Sequence, residues 1–534
     1  MTVYRLPFTV YLLTATPAAS QTAPLAGRWD HVRLSHDALR YDISLTLPDS
    51  GSAIAADVTT HWRLGGPGPL RLELDAAMKV RTVTVNGAAV HWTRHGDRIE
   101  IPVPGAAGAA VTTRVRYDGS PIDGLLLRGV GPSRTIFADN WPDRAHLWLA
   151  SQDHPTDKAA VAWSIDAPAG YTVLANGAPQ GREPSADGRR VRWRFLNAEP
   201  IPVYTMVVGM ARLSVTALAP ACAVRCVPVS VYSYPDDSAF AVEGPFRRAA
   251  EIVDFFARRF APFPYAELRH VESSTRFGGM ENATAIFYDE KAYREHRTRE
   301  DVVAHETAHQ WFGDAVTEAD WHHVWLSEGF ATYGAALWEE HAGGDSALRA
   351  TLREAAAKIM ASPATERPIL DSTVTDKFAL LNSNSYEKGA WVLHSLRGLI
   401  GDSAFFRGLS RYFEVYRHGN ALSSDFAREL SRAAGQPLDW FFRQALLQPG
   451  YPILEVRTEL EGGHLLVTVR QTQKAAWGVY RIPNLRIRLD DRELTVNLTG
   501  RVTRLATHWG GSSGPAVVKV DPEGWWLVKV NGER

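Results

Sequence analysis

The sequence predicts a multidomain α+β protein with a β-rich N-terminal domain, an α-rich middle and a small β-sandwich at the C-terminus. Three observations carry this reading. The chain has 534 residues, and at about 100–200 residues per domain that length suits three or four domains. Apolar and polar residues alternate in short stretches up to Leu213, apolar residues recur at helical spacing from about Ala239 to Leu447, and alternation returns beyond a turn cluster at 448–452. With 45% hydrophobic and 22% charged residues, the composition is globular and excludes disordered and collagen-like chains.

Residues 1–20 carry Arg5, an apolar stretch over 6–13 and a small-residue run ending at Ser20, a pattern that resembles a secretory signal peptide. The expected location is therefore outside the cytoplasm, periplasmic or secreted. Beyond this stretch no unbroken apolar run reaches the roughly 18 residues of a membrane-spanning helix. The 58 Lys and Arg balance 59 Asp and Glu, a net charge of -1, so no overall field draws the chain to nucleic acid or an anionic membrane.

Residues 21–235 form the expected N-terminal β-domain, a sandwich or saddle-shaped sheet, with period-two stretches at 41–47, 70–74 and 191–195. Its end holds the only two cysteines, Cys222 and Cys226. Export would permit a disulfide here, worth only ~2 kcal/mol for so short a loop; two free thiols are the alternative. Residues 236–448 form the α-rich domain, in which 242–259 and 379–400 carry helical spacing. Residues 449–534 form the terminal β-domain, with alternation at 453–456, 465–469 and 485–489.

The chemistry concentrates in 301–313. Thr298 with Asp301 resembles a capping box and Gly313 a helix stop, which predicts a helix across these residues. His305 and His309 then share one face and can converge on a zinc ion, with Glu306 beside them as a proton acceptor. A shuffled chain of this composition yields such a match with a chance of up to roughly 7%, so the match alone is moderate support. A catalytic zinc needs a third protein ligand and an open position. Glu328, separated from His309 by eighteen intervening residues and at the start of a second helix ending near Gly343 and Gly344, can return to the same ion from an antiparallel helix. His322 and His323 are left without a role.

Three separated motifs, His305-Glu306-Thr307-Ala308-His309 with Glu328, Gly278-Gly279-Met280-Glu281-Asn282, and Tyr386-Glu387-Lys388-Gly389, together resemble the aminopeptidase N and leukotriene hydrolase family of zinc metallopeptidases, the gluzincin aminopeptidases. The resemblance covers most of the chain. It implies a thermolysin-like catalytic domain, one zinc ion per chain held by His305, His309 and Glu328, and hydrolysis of the N-terminal peptide bond of peptides with a free N-terminus. Glu306 is then the general base and Tyr386 the donor to the oxyanion. Glu281 pairs with the substrate ammonium, while Gly278, Gly279, Met280 and Asn282 form the substrate-binding segment. Met280 is either a wall of the first side-chain pocket or part of the core.

The chain departs from the family in Gly279, where Ala is more common, and in Ser327, where Asn is. The stretch 139–142 matches no second contact for the substrate amino group. No C-terminal helical domain is expected, which would leave the cleft more open. Two alternatives stand beside the aminopeptidase: a zinc endopeptidase or tripeptide-releasing peptidase, and a non-catalytic peptide-binding scaffold.

Overall fold

Alternating burial builds the first sheet. In Ile54–Leu64 the side chains of Ile54, Ala56, Val58, Thr60, Trp62 and Leu64 are buried and those between them are not. The computed structural model describes residues 34–510 and 513–531; the stretch 1–20 read as a signal peptide lies outside them. The first sheet has eight strands, in the order Ala178–Pro184, Arg190–Pro202, Lys158–Pro168, His36–Thr46, Ile54–Leu64, Ala110–Gly119, Lys79–Val85 and Ala88–Ala89. Its neighbours are antiparallel except His36–Thr46 and Lys158–Pro168, where Ile43 lies opposite Trp163 in a parallel pair. A four-stranded sheet follows, in the order Thr172–Ala175, Val208–Ala211, Thr135–Ala138 and Leu125–Arg128.

A five-stranded sheet underlies the α-rich region, in the order Ser214–Ala217, Val229–Ser233, Leu268–Ser273, Ala285–Asp289 and Gly279–Met280. Strands from both sides of residue 235 share it, so the change of period there marks the arrival of helices beside a continuing sheet. Cys222 and Cys226 are joined as a disulfide within this sheet's first connection, inside the turn closed by the Ala221–Val227 bridge.

The helical spacing over 242–259 is realised as two pieces, Ser238–Glu243 and Ala249–Arg259. Pro245 has no N–H to donate and drives the preceding residue out of the helical region, and Gly244 takes φ -99° and ψ -113°. The stretch 379–400 is likewise divided: a 3-10 turn Lys377–Leu380, a π-helical turn Asn384–Lys388, and the helix Gly389–Ile400. Helix Trp325–Ala361 is broken at Gly344, which takes φ 70°, matching the expected stop. Gly329 and Gly389 let this helix and Gly389–Ile400 touch backbone to backbone: a Cβ on Gly329 would stand 2.8 Å from the Gly389 Cα.

One apolar cluster runs continuously from the first sheet through the helices. A second, around Leu454, Leu465, Val467, Leu485 and Ile487, lies between two C-terminal sheets. These are Val502–His508, His464–Gln471, Ile453–Glu461 and Lys529–Asn531, and Arg492–Leu498, Ile482–Leu489 and Val518–Val520. Among the described residues no helix is long and apolar enough to cross a membrane.

Candidate metal centre and catalytic cleft

The helix that carries the histidines runs Glu300–His309, shorter than expected. Its N-cap is Arg299 with no side-chain cap; the capping box of Thr298 and Asp301 does not form, because Asp301 instead accepts from the Arg299 guanidinium 3.1 Å away. After His309 the chain turns, and Gly313, at φ 131°, donates its N–H to the Val316 carbonyl. Only glycine adopts that conformation readily.

His305 and His309 lie one turn apart, with their Nε2 atoms 3.1 Å from each other. Glu328, in the first turn of helix Trp325–Ala361, places Oε2 3.3 Å from His305 Nε2 and 3.4 Å from His309 Nε2. A tetrahedral zinc with bonds of about 2.0–2.1 Å holds its donors about 3.3 Å apart, so the three separations suit one such ion. Glu328 Oε2 is buried and makes no hydrogen bond, as expected of an atom reserved for a cation. His309 Nδ1 faces the Phe312 carbonyl at 3.2 Å and Ser327 Oγ at 3.0 Å. A carbonyl only accepts, so the proton sits on Nδ1 and Nε2 presents its lone pair.

The electrostatics also call for a cation. Burial lowers the basicity of His309, yet the charges of Glu281 and Glu328 outweigh it and push the imidazole up to about 10. Burial likewise opposes ionisation of Glu328, but His309 and His305 hold its carboxyl down at about 2. Burial also lowers His305, which favours the neutral form a metal requires.

Glu306 and Glu281 converge with His309 on a second side of the same centre, their donor atoms within 4.8 Å of one another. Burial raises the Glu306 carboxyl well above its ordinary value; His309 pulls it down, and the charges of Glu281 and Glu328 push it further up. Burial pushes Glu281 up to about 7. The Tyr386 ring lies parallel to His305, centroids 6.0 Å apart and planes 9° apart. Burial, then the neighbouring Glu328 charge, hold its phenol far above the ordinary range, so it remains a proton donor. A cleft of about 630 Å³ opens over His305, Glu306 and Tyr386 and is flanked by Thr332, Glu354 and Lys358.

The glycine-rich segment forms the short edge strand Gly279–Met280, paired with Phe287 and Tyr288. A Cβ on Gly278 would meet open space. Met280 is buried in the main apolar cluster, which favours the core reading of that residue. Asn282 is buried, and its side-chain oxygen and nitrogen have no hydrogen-bond partner. The stretch 139–142 is fully engaged elsewhere. Asp139 accepts from Thr275 at 2.8 Å and pairs with Arg144 and Arg276. Asn140 bonds the Met206 carbonyl and the Trp148 indole.

Sequence reasoning missed three supporting residues. Gln310 donates to the Glu281 carbonyl at 2.9 Å and to Asp314 Oδ2 at 2.7 Å, and accepts from the Thr284 N–H at 2.9 Å. It thereby fastens the Glu281 segment to the end of the histidine helix. Lys158, in the first sheet, donates to the carbonyls of Asp314, Ala315 and Gly419, bracing the turn that follows. Ser327, noted only as a departure, is the side chain on His309 Nδ1. For Gln310 and Ser327 the available signal was adjacency to His309 and Glu328; for Lys158 the sequence carried none. His322 and His323 do not join the site; His322 faces Asp320 and the Val374 carbonyl, and His323 faces Ser423.

Comparison with known proteins places this geometry. The model of the peptidase family M1 domain matches residues 245–444. The aminopeptidase N of Streptomyces lividans is 28% identical over 480 residues, covering 83% of this chain and 54% of the relative. The M1 zinc metallopeptidase of Deinococcus radiodurans, also solved with a Tyr-Ser-Ala substrate, superposes with a TM-score of 0.71 at 24% identity, covering 78% of this chain and 95% of that one. Legionella pneumophila aminopeptidase A, solved with aspartic acid, superposes with a TM-score of 0.82 at 17% identity over 95% of this chain and 60% of its own. The chain spans about half the length of the curated relatives it matches.

Proposed function

We propose, from the match of residues 245–444 to the peptidase family M1 domain, that the protein is a zinc-dependent aminopeptidase hydrolysing the N-terminal bond of peptides. The observation that carries the reading is the spacing of His305, His309 and Glu328, whose donors stand 3.1 Å, 3.3 Å and 3.4 Å apart. One zinc ion per chain fits that set, and when bound it supplies Lewis acidity toward the scissile carbonyl and an attacking water.

The chain's own residues supply the rest. Glu306 takes the proton of the water and passes it to the leaving amine. Tyr386 stays protonated and donates to the developing oxyanion, a role worth ~2.7–4 kcal/mol in comparable sites. Glu281 pairs with the substrate ammonium and so measures distance from the chain end. The Gly279–Met280 edge strand, with open space over Gly278, supports close approach of a peptide backbone. We read 236–448 as the catalytic unit, thermolysin-like in its helices, with 21–235 and 449–534 flanking it. An exported location, periplasmic or secreted, rests on the pattern of residues 1–20.

A second reading, cleavage away from the N-terminus, is favoured by one observation: Asp139 and Asn140 are engaged internally, leaving Glu281 as the carboxylate for the amino group. A panel of aminoacyl chromogenic substrates, peptides and their N-acetylated partners decides, with wild type and Glu306→Gln. The aminopeptidase reading expects acetylation to abolish cleavage and Glu306→Gln to keep its metal while losing nearly all turnover. Unimpaired cleavage of acetylated peptides would favour the endopeptidase.

A further inference from the structure

The Tyr386-Glu387-Lys388-Gly389 motif contributes a phenol to the cleft and a glycine to a helix crossing. Lys388 has no part in either. Its side chain reaches a separate cavity of about 70 Å³ between helices Gly389–Ile400 and Asp439–Leu447 and the C-terminal β-region. Apolar walls come from Trp391, Val392, Phe441, Tyr451, Ile482 and Trp526, and no carboxylate lines it. None of its lining residues belongs to the metal-side cleft.

Lys388 is 5% exposed, and its Nζ has no hydrogen-bond partner. The other long polar groups on the walls are already used: Gln444 bonds both the N–H and the carbonyl of Arg481, and the Tyr480 hydroxyl donates to the Pro449 carbonyl. An unpaired ammonium in apolar surroundings is costly, and a buried polar atom without a partner in a cavity large enough for more than a water asks for a ligand. A single water needs about 10–15 Å³. At about 70 Å³ the cavity admits a carboxylate of three or four carbons, short of the roughly 150 Å³ that holds a benzene ring, and its one cation selects the polar end.

We propose that this cavity binds a small monocarboxylate with an apolar body, its carboxylate paired with Lys388 Nζ and its body against Trp391, Phe441 and Trp526. A phosphate dianion is a poor match, because one ammonium and apolar walls cannot satisfy its oxygens. A metal ion is a poor match, because the walls offer no carboxylate, imidazole or thiolate. Burial brings Lys388 to about 7, so a carboxylate partner would restore the charged form the cavity disfavours.

Binding is read without turnover, so the result stands apart from the peptidase reading. The zinc-loaded full chain is titrated calorimetrically with propionate and with propionamide, its neutral isostere. Propionate is expected to bind roughly tenfold or more tightly than propionamide, the factor a charge-assisted contact supplies. Lys388→Met is expected to lose that preference. Ala445→Phe, which keeps the lysine and fills the cavity, is expected to lose binding of both. Circular dichroism confirms that each variant is folded, and the two variants fail independently. Equal affinity for propionate and propionamide, no binding at millimolar ligand, or binding that survives both variants would overturn the proposal.

Discussion

The carboxylate of Glu306 lies against the backbone of Gly279: a Cβ built there would stand 2.1 Å from Glu306 Oε1 and 2.4 Å from its Cδ. The glycine is thus a notch that the Glu306 carboxylate occupies. Gly279→Ala is expected to displace that carboxylate and lower kcat about 10–100-fold, the scale of an ångström's misplacement, with zinc content unchanged. Steady-state kinetics and metal analysis check this; an unaltered kcat would show that Glu306 works from another position.

The Gly329–Gly389 contact sets the distance between Glu328 and Tyr386, since it falls one residue after the first and three after the second. Gly389→Ala would put a Cβ 2.9 Å from the Gly329 Cα and is expected to cost about 1–3 kcal/mol, the range of core overpacking. Thermal unfolding of the variant measures it. No loss of stability would mean that the two helices separate freely.

Gln310→Leu leaves the Thr284 N–H and the Glu281 carbonyl without their partner. Each buried orphan costs about 1–3 kcal/mol, and the freed segment carries Glu281, the proposed partner of the substrate ammonium. KM for peptides with a free N-terminus is expected to rise about tenfold, with kcat changed less. A fall in kcat at constant KM would place Gln310 in the chemical step instead.

Much of this was legible in the sequence, and for physical reasons. Period-two burial in strands such as Ile54–Leu64 and His464–Gln471 follows from local patterning. The proposed metal set was readable because helical spacing fixes His305 relative to His309. What escaped depends on tertiary placement. Arg299 captures Asp301 before it can cap the helix, Pro245 breaks an otherwise apolar-periodic run, and Gln310 acts across a gap of 29 residues to Glu281.

Lys388 gives a pH signature independent of activity. Burial lowers it from 10.5 to about 7, so between these values the unfolded chain holds more protons than the folded one and stability rises with pH. Below about pH 7 the full penalty applies, with a ceiling of about 4–5 kcal/mol. Lys388→Met is therefore expected to gain most stability at low pH and to lose that advantage by about pH 10.5. Denaturant unfolding at several pH values tests this; a gain independent of pH would place the ammonium in water.

Two triads meet at this centre, His305, His309 and Glu328 on one side and Glu281, Glu306 and His309 on the other, and the account assigns the ion to the first. A crystal of the zinc-loaded protein, with anomalous data collected at the zinc edge, separates them. The account requires one peak about 2.0–2.2 Å from His305 Nε2, His309 Nε2 and a Glu328 oxygen, with Glu306 outside the ligand set. A peak bound by Glu281 and Glu306, or none between the two histidines, would contradict it.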